Sequence, residues 1–187
     1  MDALEALHSR ISSPRVGEQP PSAEQLNNLY LAALSAPDHA LLRPWRFLVV
    51  EGEARTQLGR LFGEATRLDR PEATDLEVEK AAGKAQRAPV IIVAVVKLQE
   101  HPKVPEIEQY LSAGAAVQNM LLAAHAQGLG AMWRTGGMAY HPHVEQGLGL
   151  SAEEKIIGYL YVGQLEGPSR SLPSLAVDNY FSVWEPE

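Results

Sequence analysis

A chain of 187 residues, 45% of them hydrophobic, is long enough to bury one core of its own, and no internal repeat or linker divides it. The formal charge of −7, from 23 acidic against 16 basic residues, excludes the broad basic face of a general nucleic-acid binder. The absence of cysteine excludes disulfides, thiolate metal sites and a thiol nucleophile, and suits a reducing compartment.

Met1 to Ser13 lacks the apolar block of a secretory signal, because Leu4 and Leu7 are separated by Glu5 and Ala6 in an amphipathic pattern. The segment from Asp2 to Ser9 is a short helix by this spacing, with Leu4, Leu7 and Ile11 on one side, and Ser12, Ser13 and Pro14 end it. Arg10 and Ser12, two residues apart in non-helical chain, point to the same side and suit one phosphate between them.

Ser22 with Gln25 forms a capping box for a helix through Leu34, whose buried stripe is Leu26, Leu29, Tyr30 and Ala33. Pro37 ends it, and a polar loop carrying Asp38 and His39 leads through Pro44-Trp45 into a strand over residues 46–51. Further helices are predicted over 53–62 and, capped by Thr74 with Glu77, up to Gln86, with 67–74 as a charged cover over the site. Val90 to Val96 is a continuous β-branched run, predicted to be a central strand buried on both faces and too short to cross a bilayer. These features predict a cytoplasmic protein with no membrane partner.

The chain is organised around residues 106–137. Ile107, Leu111, Ala115, Gln118, Leu122 and His125 recur at three or four residues and predict an inward stripe, widened by Val117, Leu121 and Ala124. Many alanines on the remaining faces allow a second helix to approach closely. Gly128 is the natural stop, Gly130 is placed for a turn into the strand Ala131–Trp133, and Arg134, Thr135, Gly136 and Gly137 follow at the strand end. A guanidinium, a hydroxyl and permissive backbone at a strand end suit an anionic or planar ligand.

Pro142 opens a short helix ending near Gly147, and His141 and His143 beside it lack the third ligand a metal site needs. Ile156 to Val162 is a further strand. The tail from Leu165 carries Pro168, Arg170, Pro173, Tyr180, Phe181 and Trp184, too apolar for a free extension, and it predicts packing on a second copy. No dinucleotide-binding glycine fingerprint, phosphate loop, serine elbow or zinc helix occurs in the chain. Any chemistry therefore falls to a bound cofactor that the chain orients.

Arg10-Ile11-Ser12, Ser35-Ala36-Pro37-Asp38-His39, Arg43-Pro44-Trp45-Arg46-Phe47, Ala126 to Gly130 and Trp133-Arg134-Thr135, in this order, resemble the nitroreductase family, most closely its short-chain branch. The likeness runs from Met1 to about Gly163. It implies an α+β fold with a central mixed sheet flanked by helices. The long central helix would lie at a homodimer interface, in a single FMN-binding domain over 1–187 whose residues 164–187 pack on the partner subunit. It also implies FMN as cofactor and NADH or NADPH as donor, with ping-pong transfer to nitroaromatic, quinone or similar small-molecule acceptors.

By position, Arg10, Ile11, Ser12, Ser35 and His39 are the implied FMN-phosphate group, and Trp133, Arg134 and Thr135 lie along the flavin. Ala123, Ala124, His125, Ala126, Gln127 and Gly128 match the stretch linked to the nicotinamide. The chain departs from the pattern where Ile11 replaces a second arginine, where Arg43 precedes Pro-Trp in place of glutamine, and where Pro37-Asp38-His39 replaces a Pro-Ser-x-x-Asn loop. A flavin-binding or storage protein without turnover, and a dimeric interaction module without cofactor, are the alternative readings.

Overall fold

The computed structural model describes residues 1–167 and 173–186. Two helical layers enclose one sheet. Helix α1 (Ala3–Ser9), capped by Asp2, leads to α2 (Ala23–Leu34), where Ser22 and Gln25 exchange the reciprocal bonds of a capping box. Strand β1 (Trp45–Glu51), helix α3 (Glu53–Asp69), helix α4 (Asp75–Ala82) and strand β2 (Val90–Lys97) follow. Helix α5 (Glu106–Ala126), strand β3 (Leu129–Arg134), helix α6 (Pro142–Gly147) and strand β4 (Glu154–Gln164) complete the domain. Pro168 and Arg170 lie outside the described residues.

The sheet order is β1-β2-β4-β3 and every neighbouring pair is antiparallel. Within one chain the sheet is thus not mixed: β2 and β3 run in the same sense but are separated by β4, and no parallel neighbour exists among the described residues. The fold class is α+β. As its composition dictates, β2 is central and buried on both faces. One face, with Val90, Ile92, Ala94, Leu160 and Val162, packs on α2 and α5. The other, with Ile91, Val93, Val95, Tyr159 and Tyr161, packs on α3 and α6.

Helix α5 departs from its expected orientation. Its core stripe is Gln109, Ser112, Ala113, Ala116, Val117, Met120, Leu121 and Ala124. Ile107 and Leu111, read from spacing as inward, are 63% and 66% exposed, and Gln118 is exposed as well. The helix is apolar on two faces, so period alone does not say which one the sheet takes. Leu4 and Leu7 of α1, Leu31 and Leu34 of α2 and Trp184 of the tail (82%) are likewise uncovered.

The predicted cover over 67–74 is in part the last turn of α3, which runs on through Asp69. Gly130 serves packing within β3 and not a turn: a Cβ there would come within 2.8 Å of Val16 Cγ1 and 3.3 Å of Ser13 Cβ. The N-terminal segment therefore lies flush against the sheet edge. No helix among the described residues is long and apolar enough to cross a membrane.

Candidate cofactor site

Strand β3 is an edge strand, and the chain after α1 runs along it. The Ser13 amide donates to the Ala131 carbonyl at 2.9 Å, Val16 bridges Leu165, and the Gly17 amide donates to the Gln164 carbonyl at 2.8 Å. This places Arg10, Ile11 and Ser12 beside the strand that ends in Trp133 and Arg134. Arg134 closes the corner: its Nη2 donates to the Pro14 carbonyl at 3.1 Å, and its guanidinium carbon stands 5.7 Å from the centre of the Tyr161 ring.

Two guanidinium nitrogens at this edge, Arg10 Nη1 and Arg134 Nε, are buried without a hydrogen-bond partner. A buried unpaired N–H costs about 1–3 kcal/mol and more when charged. Such donors, one at the end of α1 and one at the end of β3, fit an anionic oxygen-rich group, the chemistry of a phosphate ester. Trp133 faces the opposite way from Arg134, and its indole Nε1 donates to the Ile157 carbonyl at 3.1 Å, which fixes the ring. Thr135 is exposed.

Arg134 lines a cleft of about 390 Å³ together with Phe62, Met132, Trp133, Tyr159 and Tyr161, and Thr135, Gly136 and Gly137 border it as well. Tyr159 donates to the Met138 carbonyl at 2.8 Å, and burial holds its phenol well above the ordinary range. Burial also raises Tyr161, against the opposing pull of Arg87 and Arg134. Lys84 and Arg87 complete the cleft. The sequence reading did not single them out. A signal was present in the charge pattern: no Asp or Glu occurs from Lys80 to Gln99, or between Glu108 and Glu145, in a chain otherwise rich in both.

Ser35 and His39 do not join Arg10 within one chain. His39 Nδ1 pairs with Glu108 in the first turn of α5, and Ser35 Oγ donates to the Ala32 carbonyl and lies near Asn119. At the other end of the same helix, Ser9 Oγ lies 2.9 Å from His125 Nε2. At 1.5 Å rise per residue, Glu108 and His125 stand about 25 Å apart along α5, beyond the reach of one phosphate.

The loop that presents His39 is strained, with Ala40, Leu41 and Arg43 at φ of 60°, 54° and 48°, conformations that cost a side-chain-bearing residue about 1–3 kcal/mol each. The Arg43 amide donates to Asp38 Oδ2 at 2.6 Å, while Asp38 Oδ1 is buried without a partner.

The stretch from Ala123 to Gly128 forms the end of α5 and the turn after it. Ala124 is buried, and His125 holds α1. Gln127 donates to the Gln25 and Ala123 carbonyls and accepts from Asn28. Ala126 and Gly128 are exposed. His141 and His143 pair with Asp69 and Glu64 respectively.

The model of the nitroreductase family matches residues 9–164 of this chain. A protein of Escherichia coli strain K12, YdjA, provisionally named an NAD(P)H nitroreductase, is 42% identical over 163 residues, covering 87% of this chain and 88% of that protein. A Haemophilus influenzae protein with the same provisional name is 36% identical over 165 residues, covering 87% and 88%. Among solved structures, a nitroreductase-like protein from Bacillus cereus superposes with a TM-score of 0.84 at 24% identity, covering 100% of this chain and 97% of that one. A provisionally named nitroreductase from Desulfovibrio desulfuricans in complex with FMN superposes at 0.75 and 25% identity, covering 100% and 99%.

Proposed function

The chain belongs to the nitroreductase family, and from that premise we propose that it is a cytoplasmic oxidoreductase carrying electrons from NADH or NADPH, through FMN, to a nitroaromatic, quinone or similar electron-poor acceptor. The observation that carries the reading is the pair of buried, unpartnered guanidinium nitrogens of Arg10 and Arg134 at the β3 edge. They offer the charge and the directed donors that a phosphate ester needs, and Ser12 adds a hydroxyl two residues on from Arg10. Trp133, Arg134 and Thr135 are proposed to flank the flavin, and Ala123 to Gly128 to face the nicotinamide through their exposed members.

When bound, the isoalloxazine supplies hydride acceptance from the nicotinamide and electron donation to the acceptor, two half-reactions that take turns at one cleft. For a nitro acceptor the balance is NAD(P)H plus one proton plus the nitro compound, giving NAD(P)⁺, the nitroso compound and water. The chain's part is positional and electrostatic. Trp133, locked by Ile157, gives a rigid apolar wall. The guanidiniums of Arg10 and Arg134 hold anionic groups in place and favour negative charge that develops in the cleft.

The working unit is proposed to be a homodimer. In one chain His39 and Arg10 sit at opposite ends of α5, and the uncovered Ile107–Leu111 face of that helix is free to pair with its twin. An antiparallel pairing brings one chain's Ser35 and His39 to its partner's Arg10, and the aromatic tail has the partner surface to cover. Purified protein is expected to be yellow and dimeric, and to lose its visible flavin absorbance when either nicotinamide is added without oxygen. Colourless protein that takes up no FMN, or bound flavin that neither nicotinamide bleaches, refutes the reading.

A further inference from the structure

The turn that presents His39 is held from outside by the segment leading into α5. Ala40, Leu41 and Arg43 keep left-handed backbone there, a conformation that persists in residues with side chains only where the surroundings impose it. Within the turn the restraint is slight: the Leu41 amide donates to the Asp38 carbonyl at 3.4 Å and the Arg43 amide to Asp38 Oδ2 at 2.6 Å. The outside grip comes at Leu42, whose carbonyl accepts from Gln99 Nε2 at 2.9 Å. A second hold follows at Pro44, whose carbonyl accepts from the Lys97 amide at 3.1 Å.

Gln99 lies two residues past the end of β2. Its amide donates to Gln109 Oε1 at 2.9 Å, and its carbonyl accepts from Gln109 Nε2 at 2.8 Å. One side-chain amide thus serves Gln99 as a strand neighbour would. Gln109 sits in the first turn of α5 and is only 1% exposed; a buried amide is costly unless paired, and both its polar atoms are paired here. The residue before it, Glu108, takes His39. The start of α5 therefore grips the turn at two points, directly at His39 and through Gln99 at Leu42, with the strained Ala40 and Leu41 between them. Neither glutamine lines the cleft of Trp133 and Arg134.

We propose that Gln99 and Gln109 are positioning residues: they fix the turn so that His39 stands ready for the anionic end of the cofactor in the site shared with the partner subunit. This rests on the functional reading above, in which His39 meets the FMN phosphate across the dimer. Neither glutamine touches the cofactor. Without the grip on Leu42 the turn relaxes out of its left-handed backbone, and His39 must be ordered afresh whenever FMN binds. That ordering is subtracted from the affinity. A packing role alone would instead weaken the fold, with no dependence on His39.

A double-mutant cycle separates the two roles. FMN-loaded protein is diluted in steps, and the fluorescence of the released flavin gives the affinity. His39→Ala is expected to weaken FMN binding about tenfold, as for one charge-assisted bond to a phosphate. Gln99→Leu, in a partly exposed segment, is expected to weaken it about three- to tenfold. Added to His39→Ala, Gln99→Leu is expected to change the affinity by no more than about twofold, because the turn then has no imidazole to present. Gln109→Met, which cuts the other end of the relay, is expected to behave alike, and amide hydrogen exchange over residues 39–43 of the holoprotein to quicken in both variants. A Gln99→Leu loss that persists in full beside His39→Ala, or an affinity that neither glutamine variant alters, overturns the proposal. A wild-type protein without flavin, or one whose affinity His39→Ala leaves untouched, fails earlier and overturns the functional reading and the proposal with it.

Discussion

Ser9 Oγ lies 2.9 Å from His125 Nε2, so the end of α1 hangs on the last turn of α5. Arg10 is the next residue, and its backbone amide still closes the helix on the Ala6 carbonyl. One bond between two partly exposed polar groups is worth about 1 kcal/mol. Its importance is placement, since it fixes where the Arg10 guanidinium begins. His125→Ala and Ser9→Ala are each expected to weaken FMN binding about three- to tenfold while lowering the melting temperature by only a few degrees. Fluorescence titration of apoprotein with FMN, beside a thermal melt, checks both halves.

The indole of Trp133 rests on the backbone of Gly158. A Cβ at Gly158 would come within 2.0 Å of Trp133 Nε1 and 2.9 Å of the Arg134 carbonyl, and the residue sits at φ 152° beside the bulge where β2 and β4 shift register. Gly158→Ala therefore has no soft way out. It is expected to destabilise the fold by about 1–3 kcal/mol, the usual range for overpacking, and to free the Trp133 ring. Urea denaturation reports the first, and a red-shifted tryptophan emission in native buffer the second.

How far the sequence disclosed these relationships depends on their range. The caps at Ser22 and Thr74 were legible because a capping box is closed within four residues. The buried β2 was legible from composition. Helix α3 ran past its expected end at Phe62 because Gly63 is there for contact: Val78 Cγ1 of α4 would lie 3.1 Å from a Cβ at that position. The inward face of α5 was misread because two apolar stripes share one helix, and only the third dimension decides between them. The order of motifs pointed to Arg10 and Arg134, yet not to Lys84 and Arg87, which line a cleft closed by residues far away in the chain.

Arg46 on β1 grips Glu154 on β4 with two bonds, Nε at 2.6 Å and Nη2 at 2.7 Å, and the Ser151 amide adds a third donor to that carboxylate. The Arg46 guanidinium holds Glu154 down to about 2, well below the ordinary carboxylate range. A carboxylate depressed in the folded state lends stability that is complete above its unfolded value and lost as the pH falls towards its folded one. The melting temperature is therefore expected to drop between about pH 5 and pH 2. Glu154→Gln is expected to be less stable at pH 7 by about 1–3 kcal/mol and to show a flatter decline over that window. Melts at half-unit pH intervals for both proteins decide it.

The separation of His39 from Arg10 along α5 leads to the sharpest expectation. If each site draws Arg10 from one chain and His39 from the other, Arg10→Ala and His39→Ala homodimers each carry two damaged sites. Mixed dimers carry one site with both lesions and one with none. Mixing the two inactive proteins under conditions that let subunits exchange should then restore about a quarter of the wild-type specific activity, because random pairing makes half the dimers mixed and half their sites intact. Sites built within single chains give no recovery at any mixing ratio. The same geometry makes Leu111→Glu, a charge placed on the uncovered α5 face, a substitution that should lose dimerisation and flavin together. Light scattering and visible absorbance of one sample test that coupling, and a monomer that keeps its full complement of FMN would break it.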